Sequence, residues 1–455
     1  MVVDLTIVLA VVTLLALFVY PVAGVALLFI CKPIVDANWN HLVFLDLPLT
    51  QIMSGLVPLA VIFHMLLSKP DEGLGRMPLK GIWLAYTVYL SFAAWLILFN
   101  QDLRSGSNVL FRHLNGLVGF YMVQAWFHNE KRIKLLLVAL ILGGLFPIGV
   151  GAYQLATGTV WRLEGQTIEG IVRTVGLYHD AITIRHYSFQ TILALLLFVA
   201  LSPYQSLLVK AGLLFYVAVA TVVMAKAYSK AGLLLLVLWG SCWSLLQKKL
   251  ITFAVLIAGG LCLSLYLASD YLAQALTIYQ KEIGYLSGKT EAVRTLNGRW
   301  YIWQDMYAEW SKLDGFAKTF GSGKVGLGAH NDYVQILFHG GIVGLFIYVT
   351  LLASVGRQIL LNLWRRIDPL SVGALMVLLS WMVDTIGLVP SAYSGYQWFV
   401  WGIIGLSLRM RAEEQHDAAR QLEPLPAPDD HRVHAVTRTH PPQALASRRF
   451  PLLSG

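Results

Sequence analysis

An all-α, polytopic membrane protein with about twelve transmembrane helices is the fold class the sequence predicts. Three observations predict it. Of 455 residues, 57% are hydrophobic and only 13% charged. Apolar runs of roughly 20 residues, the length that crosses a bilayer, recur along the chain. The connections between those runs alternate between basic and base-poor, as loops on two sides of a membrane do.

In chain order, spans are expected near residues 5–31, 43–67, 81–99, 109–127 and 135–155, then 184–201, 207–224, 231–246 and 250–268. After a large loop come 333–356, 370–389 and 395–408. The first run is long and contains Pro21, so it forms either one kinked span or two short ones, the second option adding a crossing. It lacks a basic leader region and a small-residue cleavage site, and is expected to be retained. The loop 269–328 lies between the ninth and tenth spans. Residues 1–411 are expected to form one membrane-embedded domain, and 412–455, rich in Pro, Ala, His and Arg without apolar periodicity, a disordered tail. Cys31, Cys242 and Cys262 all fall in apolar runs with no paired spacing, so no disulfide framework or cysteine metal site is indicated.

The basic connections orient the bundle. Lys69, Arg76 and Lys80, then Lys131, Arg132 and Lys134, then Lys248 and Lys249, then Arg357, Arg365 and Arg366, and finally Arg409 and Arg411 occupy alternate connections. These are expected to face the cytoplasm, with both termini. The large loop and residues 157–183 and 225–230 then face the periplasm. Arg162, Arg173, Arg185, Lys226, Lys230, Arg294, Arg299 and Lys324 fall on that face, where the rule disfavours positive charge. Cations clustered there point to an anionic ligand, diphosphate on a lipid being the natural candidate; singly, each could also be a solvated or snorkelling side chain. The net charge of +9 gathers on no soluble domain with interleaved aromatics, so nucleic acid is not a partner.

The stretch 297–344 organises the chain. It passes through glycines 321, 323, 326 and 328 and enters an apolar segment at Ala329-His330-Asn331-Asp332. Asn331 or Asp332 is a good helix N-cap, and a histidine beside the positive end of a helix favours the neutral imidazole that accepts protons. The plain alternative is a polar interfacial residue. Trp300, Trp303, Tyr307 and Trp310 fit an amphipathic helix lying at the membrane surface better than a sugar-stacking platform.

Several segments together resemble the O-antigen ligase and O-antigen polymerase family of bacterial inner-membrane glycosyltransferases. GLGAHNDYVQILFHGGIVGL is similar to that family's HNxYLQ segment and the glycine-rich helix after it. NGRWYIW resembles GRxxIW, RTVGLYHD an R..G.[FY].H element, and AYSKAGLL an SRxAxL element. In order, spacing and topology the resemblance spans roughly residues 40–405. Lys230 stands where the family usually has Arg, Asp180 where Asn is more usual, and His339 where Glu is common.

The resemblance implies a metal-independent, cofactor-free enzyme that takes glycan from undecaprenyl diphosphate and passes it to a sugar hydroxyl of lipid A-core or a lipid-linked acceptor. It implies His330 as general base and Arg299 as a second catalytic residue, with Arg173 and Lys230 helping to stabilise the leaving diphosphate. Asn331, Tyr333 and His179 are the other substrate-binding candidates, and Gly340, Gly341 and Gly344 would allow close helix packing. A ligase and a polymerase would share all of these. A lipid-linked-sugar transporter is the reading from another class; it would place ionisable groups mid-membrane and show repeat symmetry, and the sequence has no evident repeat.

Overall fold

A computed structural model describes residues 2–44, 47–68, 74–161, 167–168, 171–202, 206–247, 299–325 and 328–422, with isolated residues 280, 284 and 287. The expected span 250–268, most of the large loop and residues 423–455 lie outside the described residues. The chain divides into two units, Met1–Ala412 and Glu413–Gly455.

The first unit is helical. In order run α1 (Val2–Val19), α2 (Pro21–Ala37), α3 (Leu49–Leu67), α4 (Lys80–Asn100), α5 (Leu103–Trp126), α6 (Glu130–Thr157) and α7 (Ala181–Leu201). They are followed by α8 (Leu207–Ala225), α9 (Lys230–Gln247), α10 (Arg299–Ser311), α11 (Gly315–Phe320), α12 (Asp332–Arg365), α13 (Pro369–Gly387) and α14 (Ser394–Leu422). Two short antiparallel ladders interrupt them: β1 (Leu42–Phe44) with β2 (Leu47–Pro48), and β3 (Thr167–Ile168) with β4 (Ile171–Val172).

Among the described residues, α3, α4, α6, α7, α8, α12 and α13 are each long and apolar enough to cross a bilayer, seven in all. By helix composition this is a multi-pass membrane protein. Leucines, valines and phenylalanines on α1, α3, α4, α8 and α12 are exposed on the outer surface, as a lipid solvent requires. The helix boundaries follow local chemistry. Asp102, Asn129, Asp180, Ser206, Asn331 and Asp368 each cap a helix by accepting a backbone N–H in its first turn.

Helix α5 is more polar than its neighbours because it is central. Its buried His113 lies 3.1 Å from the Tyr86 hydroxyl, and Asn115 donates to Ser54 O and accepts from Trp398 Nε1. Those partners come from α3, α4 and α14, so these polar groups in the apolar interior are met by groups on neighbouring helices.

Of the two options for the first run the structure takes the second: α1 and α2 are separate helices that fold back on each other as a hairpin. The turn at Tyr20 brings a Cβ built at Gly24 within 2.2 Å of the Leu17 backbone, and Asn38 donates to Thr6 at the other end. Pro21 lacks the N–H that a continuous helix would need and starts the second helix instead. The start of the chain is therefore at the same end of the bundle as Asn38, while α14 begins at that end and runs to the opposite one, so the two termini of the membrane region are not on one side. Helix α14 runs to Leu422, past the end of the expected span 395–408.

This arrangement predicts labelling from opposite faces. In a variant without the native cysteines, a cysteine appended ahead of Met1 and His41→Cys should react with an impermeant maleimide from one side of the membrane. Ala412→Cys should react only from the other; labelling of all three from one side would refute the hairpin.

Candidate active site

The loop before α12 is built to present His330. Trp303 on α10 donates to Ala329 O at 2.6 Å, and Met306, Ala329 and Phe338 form a small apolar cluster beneath it. On the other flank Asn331 accepts from Val334 N and donates to Ile386 O at the end of α13. Held from both sides, His330 takes φ = 47°, a left-handed conformation uncommon outside glycine and one that histidine tolerates better than branched residues. Its side chain is exposed and makes no hydrogen bond among the described residues. Partial burial of the ring, and then the charge of Arg299, hold the imidazole below its ordinary value of 6.5.

Helix α12 is two helices joined at Gly341, where φ is 63° and ψ −166°. The break frees carbonyls that neighbours satisfy: Tyr89 donates to Gly340 O at 2.7 Å, and Ser322 N to Phe338 O at 3.0 Å. The end of α11 sits in the break so closely that a Cβ on Gly341 would lie 2.4 Å from the Thr319 carbonyl. The glycine run thus docks the loop into the helix, and Gly341 serves a positive φ rather than close helix packing alone.

Two arginines face the same region. Arg299 opens α10, with its guanidinium near Gly387 at the end of α13; a Cβ there would be 3.5 Å from Nη1. It has no hydrogen-bond or carboxylate partner among the described residues. Arg173 is half-buried in the loop before α7 and uses Nε to donate to Ala227 O. Gln154 fixes that loop by donating to Arg173 O and accepting from Val175 N and Gly176 N. Burial lowers the pKa of both guanidiniums; for Arg173 the charges of Arg185 and Arg299 lower it further while Asp180 opposes them. Both stay cationic, since an arginine starts above 12.

Arg185 belongs to a different arrangement. It is 0% exposed and donates to Asp384 Oδ1 at 2.6 Å, Asp384 being equally buried. His186 Nε2 lies 3.3 Å from Asp384 Oδ2 and stacks on Tyr396 at 3.8 Å, and Arg185 also donates to the Ser229 hydroxyl. Its charge is spent in tying α7 to α13 and to the start of α9.

His330 therefore lies within electrostatic reach of Arg299, and Arg299 within reach of Arg173. The backbone of Lys230 starts α9 beside Ser229, and its side chain lies outside what is described. Asn331 spends its amide on capping and on Ile386. Tyr333 packs its ring 5.7 Å from that of Tyr348 in the interior, and His179 lies 4.3 Å from the ring of Trp39. His339 is fully buried. Three contributors, Asp384, Ser391 and Tyr393, escaped sequence reasoning, and Asp180 was noted there without a role. Asp180 caps α7 and accepts from the Tyr393 hydroxyl, Ser391 donates to Asp332, and Asp384 holds Arg185. Burial and the nearby Asp180 keep the Tyr393 phenol protonated. Asp384, Ser391 and Tyr393 sit around the α13–α14 connection, which no local pattern marks. No protein-family model matches the chain, and neither does any curated protein.

Removing one member of a fully buried ion pair strands the other's charge. Asp384→Ala should cost about 3–5 kcal/mol of stability, read as a lower unfolding temperature in detergent. The double variant with Arg185→Met should recover much of that loss, and a purely local role for Asp384 would show no such recovery.

Proposed function

We propose that the chain is an inverting, metal-independent glycosyltransferase of the O-antigen ligase type. It moves glycan from undecaprenyl diphosphate to a sugar hydroxyl of lipid A-core or a similar acceptor at the periplasmic face of a bacterial inner membrane. The observation that carries this reading is the pairing of two guanidiniums with N–H groups to spare, Arg299 and Arg173, with an exposed, unpartnered His330.

The chemistry follows from those groups. The bond between the anomeric carbon and the diphosphate oxygen breaks, and the electron pair leaves with the diphosphate. Cations aimed at its oxygens stabilise that charge as it develops. The acceptor oxygen attacks from the opposite side and inverts the centre, and its proton passes to the neutral imidazole of His330. The charge of Arg299 supports this role by disfavouring imidazolium before the proton arrives. No enzyme nucleophile is required.

Orientation is supported by charge. Arg76, Arg132, Arg366 and Arg411 lie at the end of the bundle away from His330, where Arg409 donates to Arg76 O and Arg411 to Arg366 O. By the positive-inside rule that end faces the cytoplasm and the arginine group faces out. The acceptor belongs to this reading as well, and so does a thirteenth crossing, which the hairpin of α1 and α2 adds to the expected twelve.

His330→Ala should lower release of undecaprenyl diphosphate from a lipid-linked oligosaccharide by about a hundred-fold or more while the protein still inserts and folds. Lipid A-core or additional donor is supplied as acceptor, and the one that works separates ligase from polymerase. Wild-type rates without the imidazole would remove the base assignment. Because the base must be neutral, transfer should fall as pH drops through the imidazole's depressed pKa. The acid limb of the rate profile should therefore lie below 6.5 and be absent in His330→Ala.

A further inference from the structure

A cavity of about 600 Å³ opens at the same end of the bundle, beside the arginine group. It is walled by the end of α2, the starts of α3, α5 and α7, and the residues leading into α14. Of its lining residues only Leu42, Pro48 and Ala392 lack a polar side-chain atom.

Its charges are balanced and fixed. Lys32, nearly fully buried, pairs with Asp36 and lies over the Trp398 ring, while Asp36 also accepts from Tyr187 at 2.6 Å. Asp180 accepts from Ile182 N, Thr183 N and the hydroxyls of Thr183 and Tyr393. Two carboxylates against Lys32 and Arg104 leave no net positive charge to hold a diphosphate. What remains free is a set of uncharged donors and acceptors. The exposed amides of Asn40 and Gln51 make no hydrogen bond among the described residues, and neither does His179, whose ring meets that of Trp39. Amides at the rim, pre-set carboxylates on the floor and an aromatic pair on one wall match a polyhydroxylated ring, which offers donor and acceptor hydroxyls around its edge and a C–H face.

The cavity and the arginine group share a wall. Tyr393 and Asp180 line the cavity and are joined by a 2.9 Å hydrogen bond, and the same two residues act electrostatically on Arg299 and Arg173 respectively. We infer that this cavity is a carbohydrate subsite that seats the acceptor's sugar residues, so that a hydroxyl reaches over the Tyr393–Asp180 wall toward the transfer centre. The role as acceptor subsite rests on the transferase reading above; sugar binding itself does not.

The test uses the full-length protein in nanodiscs and saturation-transfer NMR with methyl glycosides of glucose, galactose and N-acetylglucosamine. At least one should bind wild type, and the double variant Asn40→Ala/Gln51→Ala and the single variant Trp39→Ala should weaken that binding about ten-fold or more. His330→Ala and Arg299→Ala should bind it as wild type does. Unfolding temperatures within a few degrees of wild type qualify the variants, and Gln51→Glu gives a second, conservative probe of the rim. No binding by wild type, or equal binding by the cavity variants, overturns the subsite even if His330-dependent transfer is intact. Loss of sugar binding in the cavity variants alongside full transfer by His330→Ala supports the subsite and removes the base assignment.

Discussion

The fully buried bond between Arg185 and Asp384 fixes where the rest of the site can be. In an apolar interior a lone charge is far costlier than a pair, so the first turns of α7 and the last turns of α13 are locked together wherever those two residues sit. Arg173 precedes α7 in a loop clasped by Gln154, and Arg299 lies against Gly387 where α13 ends. One interior ion pair thereby sets the spacing of two guanidiniums that make no contact with it. Ser229 extends the same device to α9 by accepting from Arg185, which brings the start of that helix, Lys230 included, to the same end.

His330 depends on a second constraint, the break in α12. A straight helix from Asp332 would leave the glycine run no place to dock. With the helix interrupted at Gly341, carbonyls of its first segment become acceptors, and Tyr89 and Ser322 use them to anchor α11 and the loop after it. The loop must then return to Asn331 within a few residues, and the left-handed turn at His330 is how it does so. The same turn leaves the imidazole pointing clear of capping duties, which Asn331 performs. The backbone on either side of His330 is thus held, by Trp303 through Ala329 and by Ile386 through Asn331, which fixes where the imidazole starts from.

Most of the helices were legible in the sequence because apolar run length is a direct physical signal; α4, α6 to α9 and α13 begin and end close to the expected spans, while α12 and α14 begin where expected and run on past them into polar sequence. The hairpin of α1 and α2 was ambiguous because one run covers both and only the turn at Tyr20 separates them. In the site, His330, Arg299 and Arg173 were reachable through local motif and charge placement. Asp384, Tyr393 and Ser391 were not, since each acts on residues far away in sequence and sits in a stretch with ordinary apolar or turn composition. Asn331 was assigned to substrate through the resemblance, and its amide is used by the helix and by Ile386. The aromatic cluster on α10 illustrates the same limit: Trp303 anchors the His330 loop, a role that amphipathicity cannot reveal.

Charge accounting bears on the proposed anionic donor independently of any motif. Three arginines sit within electrostatic reach of one another, and such a cluster is unfavourable unless counter-charge is near. Two carboxylates are close. Asp384 is committed to Arg185, and Asp180 gives its oxygens to the first turn of α7 and to Tyr393. Neither forms an ion pair with Arg173 or Arg299 among the described residues. Arg185, Lys32 and Arg411 each have a carboxylate partner. Arg173, in the loop before α7, and Arg299, at the start of α10, are half-buried without one among the described residues, and under the proposed transfer reading a ligand would bring that negative charge with it.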